Sequence, residues 1–506
     1  MHPSCVRCVS VFYRTHTGLI SESYRTHYGL KPNKPRANSE LTCRRCGRTV
    51  WLRTLSISVG LVNFGRVHQH LYFTMVNGTK DSTEASTKHV VVIGGGFAGI
   101  NFIKHLGKDK RFTITLVDRN NYHFFPPLIY QVAAAFIESS NISYPFRRLF
   151  QGKPHIRFHM GELIQVNPEE KTVETNTGTL SYDYLVLAMG TATNYFGFEN
   201  IARYAKPMKT LDDAMKLRNH ILLRMEAAVR AKDPAERDRA MNIVIAGGGP
   251  TGVELSGIIA EMGREILAKE YPELTDLKSH LYIVNSAPVL LPPMSTKAQE
   301  EAYAVLKKLG ARIVLNTKVV DYIDGNVLLS TGESVPTDTL IWTSGVVAAG
   351  AVGMPESAVS RGGRLSVDAF NRVAYTDGIF ALGDQCLLLD DTNFPEGHPQ
   401  VAQVAIQQGT LLGENLKRML DSKPMTPFVY HDKGSMAIIS KHRAVVDLPK
   451  KGFLRGWIAW MGWLFVHIIP LIGFRNKFVL AANWAWSFIT NDPTLRLILL
   501  PSPGEE

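Results

Sequence analysis

Cysteine is scarce in this chain and unevenly placed. Of five cysteines, four fall within the first 46 residues and only Cys386 lies beyond them. A body of more than 400 residues with one thiol can neither be stapled by disulfides nor run a dithiol relay, and it fits a reducing compartment. Acidic residues are equally scarce at the start. Residues 1–74 hold eleven Lys and Arg against two Asp and Glu, which is +9 of the formal net charge of +11. The other 432 residues balance 45 basic against 43 acidic side chains, so the basicity belongs to the N-terminal segment and does not point to nucleic acid.

That segment also lacks a sustained helical or strand period and a secretory hydrophobic region. Cys5-Val6-Arg7-Cys8 and Cys43-Arg44-Arg45-Cys46 offer four thiols, enough for a structural zinc. The 34 residues between the pairs exceed the usual ribbon spacing and contain little that could form a core. The expectation is no metal and a disordered basic extension over residues 1–86. It reads either as a transit-like presequence or as chain upstream of a start at Met75.

What is present begins at Lys88. A β-branched run ends in Gly94-Gly95-Gly96-Phe97-Ala98-Gly99, and an apolar helical stretch follows. This is G-x-G-x-x-G in its required setting, strand before and helix after. Gly94 makes the tight turn, Gly96 lets backbone approach a pyrophosphate, and Gly99 lets helix and strand pack closely. The helix N-terminus then faces the phosphates. A second strand ends in Asp118, where a carboxylate can accept hydrogen bonds from a ribose. The pattern recurs at Gly247-Gly248-Gly249-Pro250-Thr251-Gly252, with Glu254 in the opening helical turn. Here the strand-end position is Asn285. A carboxylate would repel a 2′-phosphate, and Asn carries no charge to do so. Either Asn285 bonds the ribose and NADH stays preferred, or NADPH is also used. Two such loops in one chain imply two nucleotides bound near each other.

Thr376–Asp384 closes in Gly383-Asp384, and Leu185–Gly190 forms a second glycine-ended strand. In this order the motifs resemble the two-dinucleotide-binding flavoprotein superfamily. The resemblance implies FAD on the first loop, with Gly190, Gly383 and Asp384 near it, and NAD(P)H on the second. The fold class it implies is α/β, with two Rossmann-like domains. The nicotinamide domain is inserted in the FAD domain, and a C-terminal amphipathic helical membrane anchor follows. The expected boundaries are 87–205 and 336–430 for FAD, 206–335 for NAD(P)H and 431–506 for the anchor.

Within that superfamily the chain resembles type II NADH dehydrogenase, the single-subunit NADH:quinone oxidoreductase. Asn121–Ala133, the Trp342–Gly345 loop, Ala402-Gln403-Val404-Ala405-Ile406-Gln407 and the tryptophan-rich tail carry this. The A-Q-x-A-x-Q motif implies a quinone site. Gln403 and Gln407 are four apart and share a helix face, and Ala402 and Ala405 keep that surface small enough for a flat ring. The resemblance makes Glu254 a catalytic candidate, orienting nicotinamide or relaying a proton. A first-turn acid favoured by the helix dipole is the plainer reading.

Gly456–Phe474 is 19 residues without Asp, Glu, Lys or Arg. That length admits a span, but His467, Pro470 and three glycines interrupt it and basic residues flank both ends. Five of the chain's seven tryptophans lie in this tail, suited to an interface with anionic headgroups. The expectation is two helices lying in one leaflet.

The expected enzyme passes hydride from NAD(P)H to FAD and two electrons to a membrane quinone, with no proton pumping. Its expected place is the cytoplasmic face of a bacterial inner membrane rather than a mitochondrial one, with a homodimer as one assembly. Two rivals remain at this stage: a soluble FAD-dependent reductase of a protein acceptor, and a non-catalytic nucleotide-sensing membrane scaffold. The tail argues against the first, and flavin bleaching by NADH separates the second.

Overall fold

The computed structural model describes residues 87–506, apart from 275–280, 450–451, 491–496 and 499–506, together with two short N-terminal strands. Those strands, Asn38–Thr42 and Thr49–Arg53, pair antiparallel. They belong to a unit of their own ending at Ser82 and were not anticipated in a segment read as lacking strand period. Cys5, Cys8, Cys43 and Cys46 lie outside the described residues. Among the described residues no group of three His, Cys, Asp or Glu could hold a metal.

In the second unit, β1 (Lys88–Ile93) turns into α1 (Phe97–Leu106), then β2 (Phe112–Asp118), β3 (Ile156–Met160) and β4 (Tyr184–Leu187). The chain then leaves this layer. It builds β5 (Lys206–Pro207), α2 (Leu211–Arg230), β6 (Ile243–Ala246), α3 (Pro250–Glu270), β7 (Leu281–Val284), α4 (Thr296–Lys308), β8 (Arg312–Val314) and β9 (Thr339–Trp342). It returns as β10 (Ile379–Ala381) and α5 (Ala402–Leu420). The first sheet runs β10-β4-β1-β2-β3 and the second β5-β9-β6-β7-β8, each five-stranded and parallel throughout. Val90, Val91 and Val92 are all fully buried, as a central parallel strand covered on both faces requires.

β4 and β10 are neighbours in register although nearly 200 residues separate them, so the second sheet is an insertion in the first. The boundary expected at residue 335 moves. Thr339–Trp342 pairs in parallel with Ile243–Ala246, so the inserted layer ends only at Trp342. Thr191–Thr193 pairs antiparallel with Val346–Ala348, joining the outgoing and returning connections.

A three-stranded antiparallel sheet follows α5: β11 (Ser435–Ser440), β12 (Arg443–Leu448) and β13 (Gly452–Arg455). β11 lies directly on α3. A Cβ on Gly257 would sit 1.6 Å from the Ile439 carbonyl oxygen, so only glycine permits the approach. Two helices close the described chain, α6 (Gly456–Ile468) and α7 (Phe474–Thr490). Among the described residues no helix is long and apolar enough to cross a membrane.

The tail differs from an ordinary amphipathic anchor. α6 has no charged residue and so no polar face, and it divides only into buried and exposed apolar sides. Trp463 is fully buried and Trp484 donates its indole N–H to Gln131 Oε1 at 2.9 Å. Trp457 and Trp486 remain more than half exposed. Part of the tryptophan content therefore serves packing.

Gly257→Ala is expected to lower stability by about 1–3 kcal/mol through overpacking against the β11 backbone. Gly462→Ala, where nothing lies within 4 Å, should leave stability equal or higher. Chemical denaturation of the two variants checks this, and equal midpoints would remove the claim.

Candidate functional site

Both glycine loops are built as the motif demands. Gly94 has φ +101 and its Cβ would meet the Ala188 carbonyl oxygen at 2.4 Å. Gly247 has φ +115 and its Cβ would meet Thr343 at 2.7 Å. The third glycines, Gly99 and Gly252, would place Cβ within 2.1 and 1.9 Å of the Gly94 and Gly247 oxygens. Gly96 and Gly249 instead have nothing within 4 Å. α1 has no side-chain cap and no acid in its first turn. Its leading N–H groups therefore point into a cradle shaped for an anion. A dinucleotide pyrophosphate fits these residues. One glycine escaped the sequence reading: a Cβ on Gly95 would lie 2.2 Å from the Phe146 ring.

The strand-end residues each hold their own glycine loop. Asp118 accepts from Gly95 N at 2.7 Å and from Asn120 N at 2.8 Å. Asn285 accepts from Gly248 N at 3.1 Å and donates to the Val289 carbonyl at 2.7 Å. Each side chain thus pins its own glycine loop, and what it offers a ribose is spare lone-pair capacity. Asn285 needs its N–H2 for Val289, since a carboxylate there would set oxygen against oxygen. This local demand explains the amide at that position.

Asp384 lies half-buried beside Thr191, Lys209 and Arg364. Burial pushes its carboxyl up, and Lys209, Arg364 and a bond with Thr191 oppose that rise. Lys209 Nζ donates to Thr191 Oγ1. Its backbone N–H donates to Asp213 Oδ2 at 3.0 Å, within the capping box that starts α2. Lys209, Thr191 and Arg364 belong to no sequence motif, and only the fold brings them to Asp384. Gly190 has φ +70 with open space about it, and Gly383 at φ +64 abuts Ala98 and Ala405. Phe97, Ala98, Gly190, Gly383 and Asp384 therefore gather at the first loop. Gly345 lies at the connection between the layers, its carbonyl accepting from Asn194 N at 3.1 Å.

The lone body cysteine takes no part. Cys386 is buried against Gln408, with Nε2 at 3.1 Å, and burial pushes its thiol up to about 11.

The glutamine pair expected at the quinone site is hydrogen-bonded to backbone on both sides. Gln403 donates to the Gly434 carbonyl at 2.7 Å and accepts from Lys433 N at 3.0 Å. Gln407 donates to the His431 carbonyl at 2.9 Å and accepts from His431 N at 3.0 Å. They do share one helix face. Both amides are committed at that face to the backbone strap over residues 431–434, which leads into β11.

β11 ends the path at Glu254. Its Oε1 accepts from Ile438 N at 3.4 Å, and burial pushes its carboxyl up to about 8. Glu254 keeps a partly open edge. Tyr130 stands near it, raised well above its usual range by burial and by the Glu254 charge. Gln131 Nε2 donates to the Tyr130 hydroxyl at 3.1 Å, and Trp463 meets the Tyr130 ring edge-on at 6.5 Å. Tyr130 and Gln131 lie within the Asn121–Ala133 segment, yet nothing local marks them as neighbours of Glu254.

Two dinucleotide cradles joined by a shared connection, with no thiol pair between them, define a two-domain flavoprotein. The model of the pyridine nucleotide-disulphide oxidoreductase family matches residues 88–409, and that of the NDH2 C-terminal domain matches residues 432–491. The type II NADH:quinone oxidoreductase NdhA of Mycobacterium tuberculosis is 34% identical over 79% of this chain and 87% of its own. The chain belongs to the type II NADH:quinone oxidoreductases. A mitochondrial internal alternative NAD(P)H-ubiquinone oxidoreductase of Arabidopsis thaliana is 26% identical over 82% of this chain and 86% of its own. Among solved structures, NDH2 from Plasmodium falciparum in complex with NADH aligns with a TM-score of 0.75 and 20% identity. The alignment covers 82% of this chain and all of that one. The sulfide:quinone oxidoreductase of Aquifex aeolicus gives 0.58 at 19% identity, over 79% and 92%. The two structural likenesses speak for the fold.

The glutamine strap and the buried acid each generate a test. Gln407→Ala should cost about 0.5–1.5 kcal/mol by removing its two bonds to the exposed His431 backbone. It should also speed proteolysis within residues 431–434. A change in quinone KM at unchanged protease resistance would return Gln407 to direct contact. Between its ordinary 4.5 and about 8, Glu254 holds a proton in the folded state that the unfolded chain has released. Stability must therefore fall as pH rises through that window. Glu254→Gln should flatten the fall, and parallel profiles for the two proteins would contradict the buried acid.

Proposed function

We propose that this chain oxidises NADH through FAD held on the first glycine loop and reduces a quinone dissolved in a bilayer, without moving ions across it. The observation that carries this is the pairing of two complete pyrophosphate cradles with a C-terminal layer exposing large apolar side chains. FAD held by the first glycine loop would supply a hydride acceptor for the nicotinamide and a two-electron donor for the quinone, whose reduction also takes up two protons.

The chain's own residues bind, orient and manage protons. The α1 and α3 N-termini hold the two pyrophosphates. Asp118 and Asn285 fix the loops and leave lone pairs for the riboses. Asn285 brings no charge against a 2′-phosphate, so NADPH use depends on residues around it. Lys209 and Arg364 offset the Asp384 charge beside the first loop. Glu254 carries its proton at neutral pH. Its Oε1 accepts from Ile438, which leaves Oε2 as the protonated oxygen that can serve a reduced acceptor. Gln403 and Gln407 act as positioning residues by fixing the strap that delivers Ile438.

Ile458, Phe465, Ile469, Phe474 and Phe478 are exposed on α6, α7 and their connection, with Arg455, Arg475 and Lys477 around them. This supports a protein resting on a membrane face rather than spanning it. The mycobacterial relative at 34% identity, against 26% for the mitochondrial one, supports the cytoplasmic face of a bacterial inner membrane.

Purified protein should be yellow, bleach under anaerobic NADH and regain colour on addition of a quinone. Failure to bleach with NADH or NADPH would end this reading. Bleaching without recovery by any quinone would transfer it to a protein acceptor.

A further inference from the structure

A cavity of ≈ 480 Å³ lies between α1, α5 and the connection from α6 to α7. This volume is in the range of small-ligand sites. Phe97, Ile100, Asn101 and Lys104 of α1 face it at positions i, i+3, i+4 and i+7. Ile406 of α5 and Ile472 of the connection supply further apolar wall. The function proposed above gives this space no role.

Its charges are of one sign. Lys104 and Lys477 line it, and no carboxylate does. Lys104 is exposed at the cavity mouth, and partial loss of water together with the Lys153 and Lys477 charges pulls it below the usual lysine range. Lys477 Nζ donates to the Ile469 carbonyl at 2.7 Å, which uses one of its three N–H groups and leaves its charge in place. His123 at the cavity wall is buried and neutral, its pKa pushed down to about 4, so it adds no balancing charge. Three ammonium groups near one another with no acid in the cavity wall call for an anion.

The walls decide what kind of anion. The rim runs onto Ile469 and Phe474, 71% and 85% exposed, and these belong to the same apolar surface as Phe478. A free inorganic anion gains nothing from such a rim, whereas acyl chains continue from it into the bilayer. We propose that this cavity is a binding site for one anionic phospholipid. Lys104 and Lys477 would contact its phosphate, Lys153 would reinforce them, and the apolar walls would take the first acyl carbons. The proposal rests on the membrane-facing reading of α6 and α7. It adds a defined lipid that ties the flavin-domain helix α1 to the tail.

The test uses the full chain with its flavin. Native mass spectrometry from detergent is run with phosphatidylglycerol and with phosphatidylcholine of the same acyl chains. One phosphatidylglycerol per chain should be retained in preference to phosphatidylcholine. The double substitution Lys104→Gln with Lys153→Gln should weaken that preference about fivefold per lysine. Lys108→Gln with Lys110→Gln removes the same charge from positions just past α1 that do not line the cavity and should leave the preference intact. Equal loss in both doubles, equal retention of both lipids, or displacement by excess inorganic phosphate or a short-chain quinone would each overturn the proposal. Cosedimentation with vesicles separates it from the reading beneath it. A wild-type protein that binds no vesicles refutes the membrane-facing tail. One that binds phosphatidylcholine vesicles and those containing phosphatidylglycerol equally well refutes the lipid site alone.

Discussion

The close contact between α3 and β11 at Gly257 is the constraint on which most of the site depends. A strand backbone can lie on a helix at that distance only where the helix lacks a side chain. Once β11 is seated, Ile438 N is aimed at Glu254 and the helix flank is covered. The same placement fixes where residues 431–434 run, and the two α5 glutamines then hold that strap at both ends. β11 and β12 share one hydrophobic core with the inserted domain, α6 and Trp463. A glycine in the second dinucleotide helix thus determines how the C-terminal layer is mounted, and that layer determines the electrostatics of the acid.

The two acids near the cradles show how different surroundings give similar groups different roles. Asp384 and Glu254 are both raised by desolvation. Asp384 has cations and a hydroxyl against it, so its charge is answered within the protein. Glu254 has a single long bond from a backbone N–H, and no cation is among the groups that act on it. Removing water disfavours the ionised form, and little restores it. The neutral acid is the outcome, and burial of this kind is how proteins hold a proton on a carboxyl at neutral pH. Cys386 lies in the same interior, but its thiol is fixed by Gln408 and pushed upward. Thiol chemistry is therefore absent even at the one cysteine the body has.

The parts of this architecture legible in the sequence are those where steric rules act on single residues. Positive φ at Gly94 and Gly247 and the impossible Cβ positions at Gly99 and Gly252 are forced by backbone geometry, so the motif alone located both cradles. The glutamines show the limit of that approach. Their spacing correctly places both side chains on one helix face, but spacing cannot say what will lie opposite, and a peptide strap occupies the partner positions. Asp118 and Asn285 were found as strand-end residues, yet their loop-pinning bonds depend on a local turn that no motif specifies. Tryptophan content suggested an interface, whereas Trp463 and Trp484 meet Tyr130 and Gln131 because tertiary packing competes for the same side chains. Lys209 and Arg364 were invisible because they converge on Asp384 only after the insertion has folded.

The tail therefore has an exposed apolar outer side and an inner side packed near the acid. Its outer side exposes Ile458 and Phe465 from α6. From its inner side the same helix sends Trp463 onto Tyr130, next to the acid. This contact links the position of α6 to the surroundings of the acid. Any displacement of α6 must move Trp463, and Trp463 cannot move without disturbing Tyr130 or opening a void against it. Glu254 is raised by partial loss of water more than it is held by a partner, so admitting more water at Tyr130 would lower its pKa. The proton needed beside the acceptor is thus best retained when α6 is firmly seated.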